Sequence, residues 1–227
     1  MILGVIPARL NSKRFPSKVI FPLKGKPIIE HVYNKAIQSK LLNKVVVAVD
    51  SEQTKNEINC PNVMMTSDTH QSGTDRVAEA ANNFDCDVVV NIQGDEPGID
   101  PLLIDQLIAL FEDPNVEMAS VASTDLHRND FNNDNVVKVN LDKENNAISF
   151  IRNNLNPELT YYRHVGIYAY RKKTLNLFTS LDQSDNEINS RLEQLRALDN
   201  NIDIKLLISD FNHRSIDVKE DLKNYEN

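Results

Sequence analysis

Ile2-Leu-Gly-Val-Ile-Pro-Ala-Arg-Leu-Asn-Ser-Lys-Arg-Phe-Pro-Ser-Lys18 opens the chain. Its apolar run from Ile2 to Ile6, ended by Pro7, reads as a strand buried on both faces, the kind that parallel sheets contain. The loop after it places Arg9, Ser12, Lys13, Arg14 and Lys18 within ten residues. In open α/β sheets the ligand crevice lies outside the carboxyl ends of the strands. Cations emerging there would face that crevice and could clamp a polyphosphate by charge-assisted hydrogen bonds. The competing reading is a solvated basic loop, a common fate of like-charge blocks.

Outward from this stretch, strands alternate with helices. Val45-Val-Val-Ala-Val49, Val63-Met-Met65 and Val88-Val-Val-Asn-Ile92 read as strands from their β-branched and apolar content. Between them, Ile28, Val32, Ala36 and Ile37 predict a helix over 27–39. Val77, Ala80, Ala81 and Phe84 predict another over 74–84. Asp100-Pro101 supplies a cap and a first-turn proline for a helix running to about Glu112. Farther on, Glu117–Ser123, Val136–Asn140, Tyr161–Tyr170 and Asp203–Ser209 read as strands, and Ile188, Leu192, Leu195 and Leu198 as the stripe of a helix over 185–199. Such alternation favours an α/β fold with a mostly parallel central sheet. The 227 residues show no repeat or linker, so a single domain is expected, with a substrate-side subregion at about 125–171.

Composition narrows the chemistry. Acidic residues outnumber basic ones 33 to 25, for a net charge of −8, so general nucleic-acid binding is not expected and positive charge must serve a small anion locally. No apolar run has the length of a membrane span or a signal-peptide core, which leads to the expectation of a cytoplasmic protein. Cys60 and Cys86 make neither a disulfide framework nor a zinc knuckle. The six glycines form neither a P-loop nor a dinucleotide-binding turn. The five histidines form no His-x-x-x-His pair, and no Gly-x-Ser-x-Gly elbow is present.

Gln93-Gly-Asp-Glu-Pro97 follows a strand and puts carboxylates at the edge where the cationic loop emerges. Asp95 there could hold Mg²⁺, an ion that takes one or two carboxylates and completes its shell with water and phosphate. Capping acids in a turn are the alternative. Asp217 is a second candidate, although an N-cap role is common for such a residue. His70-Gln-Ser-Gly-Thr-Asp-Arg76 precedes a helix and could present Ser72, backbone N–H groups and Arg76 to an anion, or serve only as a capping turn. On the strand Tyr161–Tyr170, parity sets His164 and Tyr168 on one face and Arg163 on the other, unless the strand is bulged. Glu193 and Gln194 could reach a hydroxylated ligand, or be solvated helix residues. What survives is a nucleoside-triphosphate site that needs Mg²⁺.

In order along the chain, Ile6-Pro-Ala-Arg9 with Ser12, Arg14 and Pro16, Gly25-Lys-Pro-Ile-Ile-Glu-His-Val32, His70–Arg76, Val90-Asn-Ile-Gln-Gly-Asp-Glu-Pro97, Arg163-His-Val-Gly-Ile-Tyr168 and Leu192-Glu-Gln-Leu-Arg196 resemble the 3-deoxy-manno-octulosonate (Kdo) cytidylyltransferases, or CMP-Kdo synthetases, nearly end to end. The resemblance implies a Rossmann-like nucleotide-sugar synthetase fold with a mixed, mostly parallel sheet between helices. It implies a homodimer, and Mg²⁺-dependent transfer of the cytidylyl group from CTP to an acidic keto-sugar for surface polysaccharide synthesis. It assigns Arg9, Ser12, Arg14 and Lys18 to the triphosphate, and Ser72, Arg76 and Gln93 to the nucleotide, with Gln93 also toward the sugar. Asp95 and Asp217 fall to the metal. Arg152, His164, Tyr168, Glu193 and Gln194 fall to the sugar, and Lys18, Arg9, Arg14 and Asp95 to catalysis. Three departures stand out: Ser17-Lys-Val19 replaces the usual Gly-Lys-Pro, Ser215-Ile-Asp-Val218 replaces Gly-Val-Asp-Thr, and the stretch from Arg152 to Tyr161 is shorter than in the family. They leave a related ulosonate acceptor, or a non-catalytic nucleotide-binding paralogue, as alternatives.

Overall fold

The computed structural model describes residues 1–10, 14–212 and 214–225. The chain forms two compact units, Met1–Asp105 with Arg214–Asn227, and Gln106–His213. The first contains β1 (Ile2–Ala8), β2 (Pro22–Leu23), β3 (Lys26–Pro27), α1 (Ile28–Ala36), β4 (Lys44–Val49), α2 (Glu52–Glu57), β5 (Val63–Met65), α3 (Gly73–Asn82) and β6 (Val88–Asn91). The chain passes into the second unit within α4 (Pro101–Ala109).

In the first unit the strand order is β6-β1-β4-β5, and every pair is parallel. The apolar runs are buried as read: Leu3, Val5, Ile6, Val47, Ala48, Val89 and Val90 are sealed from solvent, as are Ile28, Ile29 and Val32 of α1 and Val77, Ala80 and Ala81 of α3. β1 extends two residues past Ile6, through Pro7. Its pairing with β6 ends at Val5, whereas pairing with β4 runs to Ala8, so Pro7 lies where one side of the strand has no ladder to supply. A missing N–H is harmless at such an edge.

The second unit contains β7 (Met118–Ser123), β8 (Lys138–Leu141), β9 (Ala147–Ile151), β10 (Tyr162–Arg171), α5 (Lys172–Ser180), α6 (Asp185–Ser190), α7 (Leu195–Asp199) and β11 (Ile204–Ser209). β11 runs parallel to β7, while β7–β10, β10–β8 and β8–β9 are antiparallel. The fold is therefore α/β, with an all-parallel main sheet and a small antiparallel β2–β3 pair in the first unit, and mixed pairing in the second.

Among the longer elements, α2, β9 and α5 carry no clear periodic signal. α2 is almost wholly polar and is held by its cap, Ser51, whose hydroxyl accepts the Thr54 N–H. β9 is short, and α5 buries only Thr174, Leu175 and Phe178. The helix expected over 185–199 is instead two helices. Arg191 takes a left-handed conformation (φ 55°), and the Leu192 N–H turns back to the Glu187 carbonyl at 3.2 Å, a backbone reversal that ends a helix. Ile188, read as part of the stripe, is exposed.

The break is fastened by a buried, two-pronged ion pair: Arg196 Nε donates to Glu187 Oε2 at 2.8 Å and Nη2 to Oε1 at 2.6 Å. Burial acts to raise the Glu187 carboxyl, but Arg196 and the hydrogen bonds around it outweigh burial and hold it below the usual glutamate range. A carboxyl depressed on folding contributes stability that is full above the unfolded pKa and is lost as pH falls through the folded one. Arg196→Met is expected to lower stability by about 3 kcal/mol at neutral pH, because it strands a buried charge. The deficit should shrink as pH falls through the ordinary glutamate range, first in the variant, where burial without Arg196 lets Glu187 take up a proton more readily. Urea midpoints of the two proteins across that range test both statements.

Candidate active site

In the first unit the cationic loop is anchored by its one aromatic residue. Phe15 is buried with Leu23, Ile28 and Ile216, and Phe21, Leu222 and Tyr225 pack around them. This small cluster ties the loop to the carboxyl-terminal segment. Ser17 follows with φ 55° and ψ 24°, the left-handed region. Serine there takes the turn that a glycine adopts more easily, at roughly 1–2 kcal/mol. The turn leads into a short 3-10 segment, Lys18–Ile20, in which the Lys18 side chain is largely buried.

Lys18 Nζ donates to Asp95 Oδ2 at 2.5 Å and lies 3.6 Å from Asp217 Oδ1, while Arg14 Nη2 donates to Asp217 Oδ1 at 2.8 Å. Two backbone features bring the carboxylates together. A Cβ on Gly94 would lie 2.9 Å from the Pro7 carbonyl oxygen, so only glycine lets the Gln93-Gly94-Asp95 turn approach the end of β1. The Ile216 N–H donates to the Asp95 carbonyl at 2.9 Å, which fixes Asp217 beside that turn. The Asp217 main-chain N–H is in turn held by Asp221 Oδ2 at 2.7 Å. Both carboxylates keep solvent exposure and can be reached by a ligand.

At the start of the same loop, Asp50 Oδ1 accepts the Leu10 N–H at 3.0 Å and Oδ2 accepts from Arg76 Nη2 at 3.4 Å. Arg76 also donates to Thr66 Oγ1 at 2.6 Å and to the Ser67 carbonyl at 3.1 Å, and is almost wholly buried. Burial lowers its pKa, Asp50 and Glu79 pull it back up, and the nearby charge of Arg9 lowers it further. Arg76 thus binds the ends of β4 and β5 together, with Arg9 exposed beside it. Ser72 forms a capping box with Asp75 at the start of α3. His70 Nε2 meets Glu79 Oε2, which also accepts the Ser67 N–H. Gln93 lies 3.5 Å from Asn91 Oδ1 through Nε2. Ser12 lies outside the described residues.

Of the residues expected on the sugar side, Arg152, His164, Tyr168, Glu193 and Gln194 fall in the second unit and Gln93 in the first. β10 is bulged between Val165 and Tyr168, yet His164 and Tyr168 still share a face, with ring centroids 5.4 Å apart. Arg163 leaves on the other side, to Asp130 Oδ2 at 2.7 Å and the Asp125 carbonyl at 2.8 Å. Ser120 Oγ lies 3.1 and 2.9 Å from the bulge carbonyls of Val165 and Ile167 and 3.0 Å from His164 Nε2. The hydroxyl, with one proton, can donate to only one of these partners, and it joins His164 to the bulge. Burial, reinforced by the Glu193 charge, raises the Tyr168 phenol well above its usual value, which leaves it a hydrogen-bond donor at neutral pH. The break between α6 and α7 puts Glu193 in a turn beside Gln194, the residue that begins α7 as its cap. Arg152 spends its guanidinium on main-chain carbonyls: Nε on Ser190 at 3.3 Å, Nη1 on Asp134 at 2.8 Å and Nη2 on Arg191 at 3.2 Å.

Asp50, Ser120 and Lys138 were not singled out from sequence. Asp50 ends a strand, and Lys138 interrupts an apolar run; those were the available signals. Burial pushes the Cys60 thiol up to about 12, so it is protonated at neutral pH and is no nucleophile. Among the described residues no cluster of three or more His, Cys, Asp or Glu side chains could hold a metal, and no helix is long and apolar enough to cross a membrane.

The cytidylyltransferase family model matches residues 3–204. The 3-deoxy-manno-octulosonate cytidylyltransferase of Geobacter metallireducens is 38% identical over 240 residues, covering 97% of this chain and 94% of its own. That of Thermodesulfovibrio yellowstonii is 39% identical, with 96% and 94% covered. A solved CMP:2-keto-3-deoxy-manno-octonic acid synthetase complexed with CTP superposes with a TM-score of 0.91 at 32% identity, over 98% of this chain and 95% of that one.

Asp50→Ala should release the Leu10 N–H and leave the buried Arg76 without its carboxylate, lowering stability by about 2–3 kcal/mol. Asp50→Asn, which keeps an acceptor for Leu10, should lose less. Urea unfolding followed by far-UV circular dichroism gives the ranking; equal losses would show that the Leu10 contact contributes little.

Proposed function

The chain belongs to the cytidylyltransferase family, and from that premise we propose that it transfers the cytidylyl group of CTP to 3-deoxy-manno-octulosonate, giving CMP-Kdo and pyrophosphate for lipopolysaccharide or a related surface polysaccharide. The observation that carries the reading is the convergence of Lys18 and Arg14 on Asp95 and Asp217 at the carboxyl end of β1 and β6. A triphosphate needs cations to bind it. A metal-bridged one needs hard oxygen donors beside them.

In the reaction the anomeric hydroxyl oxygen of the sugar bonds to the α-phosphorus of CTP. The bond from that phosphorus to the oxygen bridging the β-phosphate breaks, and the electron pair leaves with pyrophosphate; the hydroxyl proton passes to water. Arg9, Ser12, Arg14 and Lys18 bind and polarise the triphosphate, and Lys18 offsets the charge that develops on the phosphoryl oxygens. Ser72, Arg76 and Gln93 serve the nucleotide. Arg76 does so by holding the β4 and β5 ends in place, given its engaged guanidinium. Asp95 and Asp217 fit Mg²⁺: both reach toward one cation already, and the pair leaves the remaining coordination to water and phosphate. Bound there, the ion supplies neutralisation of triphosphate charge. On the sugar side, Gln93, Arg152, His164, Tyr168, Glu193 and Gln194 orient the acceptor, with Tyr168 as a protonated donor. A cytoplasmic homodimer completes the reading, on the family resemblance.

Pyrophosphate release should require CTP, Mg²⁺ and Kdo, and should not occur with ATP, GTP or UTP. Lys18→Met and Asp95→Asn should each lower turnover by about 10²–10³-fold or more; the urea midpoint should stay close to the parent in Asp95→Asn and fall in Lys18→Met, which leaves Asp95 and Asp217 without the ammonium between them. Turnover unchanged in either variant would remove that residue from the site, and release with a different ulosonate in preference to Kdo would change the acceptor.

A further inference from the structure

Lys138 lies in β8 with its side chain sealed from solvent, opposite Ile151 of β9 and Arg163 of β10. Its Nζ donates to the Asn133 carbonyl at 2.9 Å and to the Arg152 carbonyl at 2.5 Å. Burial lowers its pKa, and Asp134 and Asp130 pull it back up. An ammonium is costly to bury, so one held among main-chain carbonyls is there to fix the backbone that bears them. The guanidinium of Arg152 continues the arrangement onto the carbonyls of Asp134, Ser190 and Arg191. Two cations therefore gather five carbonyls from three separate stretches, 133–134, 152 and 190–191. The last of these runs directly into Glu193 and Gln194.

We propose that Lys138 is a positioning residue for the acceptor sugar: through Arg152 it sets the backbone at 190–191 and so the placement of Glu193 and Gln194. The inference rests on the cytidylyltransferase reading. It adds that the stretch from Arg152 to Tyr161 is held at its start by an internal cation. Hydrogen bonds made inside the protein before the sugar arrives reduce what binding must order.

The test uses the full chain and steady-state pyrophosphate release, with each substrate varied in turn. Lys138→Met keeps the side-chain volume and removes both donors. It is expected to raise the KM for Kdo about tenfold or more, with the KM for CTP and kcat at saturating sugar within about twofold of the parent. Lys138→Gln, which retains N–H donors, is expected to recover part of the loss, and ethylammonium is expected to rescue Lys138→Ala in the same parameter. A Lys138→Met protein with an unchanged KM for Kdo overturns the proposal. So does one that fails to fold, or loses CTP affinity and kcat to the same degree, because the ammonium would then hold the unit as a whole. Absence of CTP- and Kdo-dependent release from the parent protein would defeat the functional reading instead, and is seen before any variant is compared.

Discussion

Two carboxylates, Asp95 and Asp217, meet at one ammonium, that of Lys18, and much of the first unit keeps them there. Like charges so close repel unless a cation stands between them. The turn after β6 can approach β1 only through Gly94. The carboxyl-terminal segment is drawn in by Ile216, whose side chain packs with Phe15 and whose N–H meets the Asp95 carbonyl. Phe15 is thus the hinge of the arrangement: it sits between Arg14 and Lys18 in sequence, and its burial aims both toward the acids.

Two residues that depart from the pattern the resemblance expects, Ser17 and Ile216, are accommodated locally. Ser17 takes the left-handed conformation, and Lys18 still reaches Asp95. The strain is local, about the size of a single unfavourable φ, and the surrounding contacts outweigh it. Ile216 is also compatible with its turn, because the residue is used for its buried side chain and its N–H.

Several charged residues hold the protein together from within. Arg76, Arg196, Lys138 and Arg152 each direct donors to carbonyls or carboxylates of other segments. Around Glu193 and Gln194 this has a particular consequence. The helix expected over 185–199 breaks at Arg191, and the break, fastened by Arg196 and Glu187, turns Glu193 out of a helix surface and into a bend. Apolar spacing at Ile188, Leu192, Leu195 and Leu198 suits a continuous helix equally well, so periodicity alone could not reveal it.

By itself the sequence determined the strand and helix alternation, the parallel core and the chemistry available at its edge. Those properties are local: β-branched runs such as Val45–Val49 bury on both faces, and residues just after a strand lie at its carboxyl end wherever the strand goes. Parity likewise set His164 and Tyr168 together and Arg163 apart, and the bulge did not undo it. Only the tertiary structure decided which cation meets which acid. Arg14 and Asp217 are 203 residues apart and Lys18 and Asp95 are 77 apart. It also decided that Arg76 and Lys138 lie inside while Arg14 lies exposed. Charge interactions depend on separation and burial, and neither is written in the spacing of residues along a chain.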